Sequence, residues 1–142
     1  MLILVTAAID TAPTLDREVF EGLREQFGGE VLVSLVGNFC ERETLVDELV
    51  RASRRESTLG DDRRLSRMAH RMRAIASVFA ATRLAELCAE LEARARPSDH
   101  RDRVGLADEI AREFALAKSE MNAALQPPPS GLAVNRRRFR AR

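Results

Sequence analysis

The sequence predicts an all-α domain, an antiparallel up-and-down four-helix bundle with a short N-terminal capping helix, and three observations predict it. The composition is 45% hydrophobic and 32% charged, with no Trp, no Tyr and only seven Gly in 142 residues; this suits a helical globular chain better than a β-sandwich or a disordered one. Apolar residues recur at three- and four-residue spacing along most of the chain, the period of helices that bury one face. Short breaks divide these stretches into pieces of helical length, and long amphipathic helices joined by short loops pack most simply up and down around one core.

The first element is "TLDREVFEGLREQFGG". Thr14 or Asp16 caps it ahead of acidic residues in the first turn, and Gly28-Gly29 stops it. Val19, Leu23 and Phe27 form its expected buried face, and it is short enough to cap one end of the bundle. From Glu30 to about Ser53, Val31, Leu32, Leu35, Phe39, Val46, Leu49 and Val50 repeat at helical spacing and predict one long helix. "RESTLGDD" breaks it. A third helix is expected from about Asp61 to Ala80 and a fourth from about Thr82 to Ala95. Pro97 ends the fourth, and Ser98 or Asp99 caps the last helix, which runs to about Leu125 with Ile110, Phe114, Ala117, Met121 and Leu125 as its stripe. Residues 1–13 form an N-terminal extension, 14–125 the bundle, and 126–142 a flexible basic tail that begins with three prolines.

The charge sum is +1, from 23 basic and 22 acidic side chains. Such a chain has no general attraction for nucleic acid or membrane, so any electrostatic message must be local. Cys40 and Cys88 fall on apolar stripes without CxxC spacing, which argues against a zinc site or a disulfide scaffold and for a reducing, cytoplasmic setting. The opening "MLILVTAAI" has no basic n-region and is too short to span a bilayer.

The chemistry-bearing candidate is His70, in "RLSRMAHRMRAIASVFAATRLAELCAELEARARP". At roughly 100° per residue, Leu65, Met68, Met72, Ala76 and Phe79 fall opposite it and form the core side. On its own face lie Arg63, Ser66, Arg67, Ala74, Ser77 and Ala81, with Arg71 and Arg73 on the flanks. The imidazole is therefore expected on the outside of the bundle, approached over small side chains and among guanidinium groups. An exposed helix face can carry a histidine for no reason beyond solvation. A metal site needs ligands that His70 lacks nearby, and a general base needs a pocket and an oriented nucleophile. Accepting a phosphoryl group needs only an accessible neutral imidazole and local positive charge, the partner bringing the rest.

The segment "MAHRMRAIASVFAATRLAELCAELEA", residues 68–93, resembles the central signature of histidine-containing phosphotransfer (HPt) domains, which usually read AHxLKGSSxxxGAxxLxxxCxxLE, and the arrangement is similar over about residues 15–125. The resemblance implies a four-helix bundle whose histidine relays a phosphoryl group between receiver-domain aspartates. By that match His70 is the phosphoacceptor, and Arg73 stands where the family usually has a lysine that helps hold the phosphoryl oxygens. Glu92 is the candidate for the polar side chain that holds the other ring nitrogen. Three departures stand out: Ala74 replaces a glycine that leaves room for the incoming receiver, Ala80 replaces a second glycine at an expected helix-packing position, and Ile75 replaces a serine. Arg for Lys at position 73 keeps the charge and changes the shape.

What the resemblance implies is a phosphoryl carrier rather than a turnover enzyme. Its partners would be receiver domains of response regulators or of a hybrid sensor kinase, with Arg67, Arg71, Ala74 and Ser77 at the docking face. The chain would need no cofactor or metal of its own, Mg²⁺ being expected on the partner receiver domain. It would be a monomer. Two rival readings stay open at this point. One is a degenerate module that docks a receiver or other signalling protein without carrying phosphate, for which Ala74 is the best support. The other gives the tail arginines, Arg136, Arg137, Arg138, Arg140 and Arg142, to nucleic acid or acidic lipid; such tails are commonly only solvated, and neither nucleic acid nor membrane is expected as a partner.

Overall fold

The computed structural model describes residues 12–55, 59–95 and 100–126. Among the described residues six helices follow one another: α1 Arg17–Phe27, α2 Gly29–Cys40, α3 Glu43–Arg54, α4 Leu59–Val78, α5 Thr82–Ala93 and α6 His100–Leu125. Among the described residues there is no strand, and the all-α bundle is as expected. Helices α2 and α3 together run along one edge, and α4, α5 and α6 complete the antiparallel bundle; α4 packs on α5, α5 on α6, and α6 on both α2 and α3. The core draws on all of them, with Leu32, Phe39, Leu49, Leu65, Met72, Leu84, Leu91, Ile110 and Met121 all buried. Phe39 is its aromatic hub, 5.2 Å from Phe79 and 5.0 Å from Phe114 between ring centroids.

Asp16 caps α1 by accepting a hydrogen bond from the Val19 N–H at 3.2 Å. The face that α1 buries differs from the expected one. Phe20 is fully buried, whereas Val19 and Phe27 are 49% and 46% exposed. The cause lies in what the bundle end offers. Arg24, one turn after Phe20, donates to the carbonyl of Ala124, one of the carbonyls that the end of α6 leaves without a partner inside the helix. A stripe containing an arginine therefore turns inward and the more apolar stripe turns out. Gly28 joins α1 to α2 at φ +84, a conformation that suits glycine.

The single long helix expected over Glu30–Ser53 is two helices. Residues 41–44 are all exposed, so no inward side chain anchors that stretch, and the chain tightens to a three-residue bond from the Arg42 N–H to the Phe39 carbonyl (3.0 Å) before α3 resumes.

The helix expected over Asp61–Ala80 is α4, and it stops at Val78, two residues before its expected end. Ala80 has φ +62, its N–H bonds to the Ser77 carbonyl (3.3 Å), and the Ala81 N–H bonds to the Ala76 carbonyl (2.9 Å). That pair of bonds is the Schellman arrangement, which normally takes glycine at its left-handed position. Ala80 is therefore a turn residue and not a helix-packing one, and its helix propensity counts for nothing there. The same turn carries Ala81 off the face of His70 and buries it completely. The segment before α1 braces this turn: the Ala80 carbonyl accepts from the Asp16 N–H at 2.8 Å, and the Pro13 carbonyl from the Arg83 N–H at 3.0 Å.

At the opposite end, Arg103 of α6 is 1% exposed and donates to Asp62 of α4 at 2.7 Å. It also meets Nδ1 of His100 at 2.8 Å and the Arg55 carbonyl at 3.5 Å. This cluster ties α3, α4 and α6 together and fixes how far along the bundle α4 sits. The expected caps Ser98 and Asp99, Pro97, most of the N-terminal extension and the basic tail lie outside the described residues.

Candidate functional site

The site is built on the α4–α5 hairpin. His70 lies eleven residues before Ala81 and Glu92 eleven residues after it. Two antiparallel helices leaving one turn reach the same level after equal numbers of residues, here about three turns out. The phase of α4 turns Leu65, Met68, Met72, Ala76 and Phe79 into the core, all of them buried, and so leaves His70 outside with 65% of its side chain exposed.

Glu92 reaches across from α5 and uses both carboxylate oxygens. Oε1 lies 3.1 Å from Nδ1 of His70 and Oε2 lies 3.2 Å from Nη1 of Arg73. An ionised carboxylate only accepts, so in the neutral ring the proton sits on Nδ1 and Nε2 keeps the lone pair. Arg73 follows His70 by three residues, the spacing at which helical neighbours meet. Glu92 is half-buried, and one turn before it Cys88 is fully buried. The Cys88 thiol is pushed up to about 12, first by burial and then by the negative charge of Glu92. It is a packed, protonated group and not a nucleophile.

The other expected site residues lie on the same face. Arg67, Arg71, Ala74 and Ser77 are exposed. The Ser77 hydroxyl donates back to the Arg73 carbonyl at 2.9 Å, so it is satisfied by its own helix. The Ala74 methyl stands one turn from His70, where a close approach would meet it. Toward the turn, α4 and α5 part into a groove of about 370 Å³ lined by small residues, among them Ala85 and Ala89, and flanked by Arg73 and Glu86. Among the described residues no group of three His, Cys, Asp or Glu is placed to hold a metal ion, and no helix is long and apolar enough to cross a membrane.

Two contributors went unread in the sequence. Val78 is 62% exposed and continues the four-residue row His70, Ala74, Val78; the row was legible, but a valine near a helix end reads by default as core. Glu86 lines the groove, which follows from how far the two helices splay and has no sequence signal.

The arrangement offers an accessible imidazole with one nitrogen fixed by a carboxylate, the other free, and guanidinium groups within one helical turn on both sides. Among the described residues it has no walls that would enclose a small substrate, and 65% of the His70 side chain is open to solvent.

The family model described as Hpt domain matches residues 34–125, more than half of the chain. The matched span runs from within α2 to the end of α6 and includes the whole α4–α5 hairpin. No curated protein and no solved structure matches the chain.

Proposed function

The chain belongs to the Hpt domain family, whose members are phosphocarrier modules of two-component signalling, and from that membership we propose that it is a phosphorelay intermediate. It accepts a phosphoryl group on His70 from the phosphorylated aspartate of one receiver domain and passes it to the aspartate of another. The observation that carries this reading is the exposed His70 ring whose Nδ1 is held by Glu92.

With the proton on Nδ1, the Nε2 lone pair attacks phosphorus in line. An N–P bond forms, the P–O bond to the aspartate breaks, and the carboxylate leaves with the electron pair. The ring gains positive charge as it becomes phosphorylated, and the Glu92 carboxylate stabilises that charge through the Nδ1–H bond. Arg73 holds phosphoryl oxygens, with Arg67 on the other side of His70. The onward step is the reverse displacement by the second receiver's aspartate, so the protein ends as it began. The receiver's Mg²⁺ supplies charge neutralisation on the partner's side; this chain supplies the nucleophile and its orientation.

Receiver domains precharged with labelled phosphate test the reading. Acid-labile label appears on the wild-type protein and not on His70→Gln. Receiver binding without label would instead support the docking module that Ala74 favours, and neither label nor binding would refute both.

A further inference from the structure

The exposed face of α4 carries two parallel rows of side chains at four-residue spacing. Ser66, His70, Ala74 and Val78 form one. Arg63, Arg67 and Arg71 form the other, on the side of His70 away from Glu92. All three of these arginines are exposed, and none forms an ion pair among the described residues, whereas Arg54, Arg73, Arg94 and Arg103 each engage a carboxylate. Like charges four residues apart weaken a helix, so the stability of α4 does not account for three in register. At the other end of the face stands Val78, the most exposed large hydrophobic residue among the described residues, about 12 Å beyond His70 along the helix axis at 1.5 Å per residue.

This face is therefore polarised: cationic along the row that ends beside His70, apolar past it. Resting on the phosphotransfer reading, we propose that the arginine row and Val78 form an orienting interface for the receiver. The partner surface they fit is acidic where it overlies the N-terminal half of α4 and apolar where it overlies the last turn, with the phosphorylated aspartate between the two. A partner docked the other way round sets its acidic edge against Val78 and leaves three cations facing an apolar edge, which costs desolvation without compensation. Because the whole chain has a net charge of only +1, steering comes from this local row and is screened within about 10 Å at 0.1 M salt. A nucleic acid would satisfy the arginines and gives Val78 nothing, so the protein partner is the better fit.

The test uses the full chain and a receiver that charges it. The second-order rate constant of phosphotransfer is measured against salt for wild type, for Arg63→Glu/Arg67→Glu/Arg71→Glu and for Val78→Asp. The expected result is a wild-type rate that falls steeply with salt. The triple variant is slower by about tenfold or more at low salt, with its salt dependence lost. Val78→Asp is slower with the wild-type salt dependence kept. Circular dichroism confirms that the variants remain helical. Phosphoramidate, a small donor that needs no docking, is applied to wild type and His70→Gln. Label on wild type alone keeps the phosphotransfer reading intact, so that equal receiver rates in wild type and triple variant overturn the orienting interface by itself. No label from either donor overturns both. Salt-sensitive binding of duplex DNA that the triple variant loses, with receiver rates unchanged, overturns the proposal in favour of nucleic acid.

Discussion

Removing the carboxylate of Asp62 leaves a guanidinium that water barely reaches. The Arg103 and Asp62 side chains are 1% and 6% exposed and 2.7 Å apart. Breaking one partner of such a buried pair costs about 3–5 kcal/mol, because the remaining charge stays desolvated. Arg103 keeps its contacts with His100 Nδ1 and the Arg55 carbonyl, so Asp62→Ala is expected near the lower end, about 3 kcal/mol. Against a total stability of about 5–15 kcal/mol for a domain, that is a large fraction. Replacing both partners by apolar residues, Asp62→Leu with Arg103→Met, is expected to fall within about 1 kcal/mol of wild type, since apolar packing in place of a buried pair is often close to neutral. Urea unfolding followed by far-ultraviolet circular dichroism, run as a double-mutant cycle, measures both numbers. A loss below about 1 kcal/mol for Asp62→Ala would show that Arg103 finds water or other support, and the account of this cluster as the clamp between α3, α4 and α6 would fail.

Other outcomes follow from the same geometry. The Cys88 thiol is held at about 12 against 9.0 for the free group, so between those values the unfolded chain loses the proton while the native one keeps it. The unfolded state then binds fewer protons, and stability falls as pH rises through this window, by up to about 1.4 kcal/mol per unit. With no Tyr and a single Lys, Lys118, the chain has few competing groups there. Urea midpoints from pH 8 to pH 10.5 are expected to drop in wild type and to hold nearly level in Cys88→Ala. Glycine substitution separates turn from helix: Ala89→Gly, inside α5, is expected to cost about 1 kcal/mol. Ala80→Gly is expected to change little, since relief of about 1–2 kcal/mol at positive φ offsets the buried methyl and the extra freedom of the unfolded chain. Equal losses at the two positions would contradict the left-handed assignment. Glu92→Gln keeps an acceptor and removes the charge; receiver-to-His70 transfer is expected to slow about tenfold. In the same variant ¹⁵N spectra are expected to show the imidazole moving from the Nδ1–H tautomer toward a mixture, a change that a merely structural role would not produce.

Much of this was legible in the residues because periodicity is a strong signal where a helix has one neighbour side. The row Leu65, Met68, Met72, Ala76 and Phe79 by itself places His70 outside, and Ile110, Phe114, Ala117 and Met121 mark the buried stripe of α6. The signal fails where the environment is not simply water on one side and oil on the other. At α1 the bundle end presents carbonyls as well as apolar surface, so Phe20 with Arg24 outcompetes Val19 with Phe27. At Ala80 the left-handed turn is invisible because alanine is the strongest helix former and gives no warning. Arg103 sits at the core because Asp62 is buried with it, and only a structure reveals that two distant charges share one place. The Glu92 contact with His70 was anticipated from the family pattern, and its second oxygen on Arg73 was not.

The equal spacing of His70 and Glu92 about the Ala80–Ala81 turn restricts which length changes this hairpin tolerates. One residue inserted into α5 between Thr82 and Glu92 rotates the carboxylate by about 100° and parts it from the imidazole. One inserted into the segment before α1, or between α3 and α4, leaves the pair untouched. Seven residues added to each arm, about two turns apiece, return both side chains to the same level and nearly the same phase. The His70–Glu92 pair is thus a cassette contained within one pair of helices, portable to another bundle that can cover its inner face.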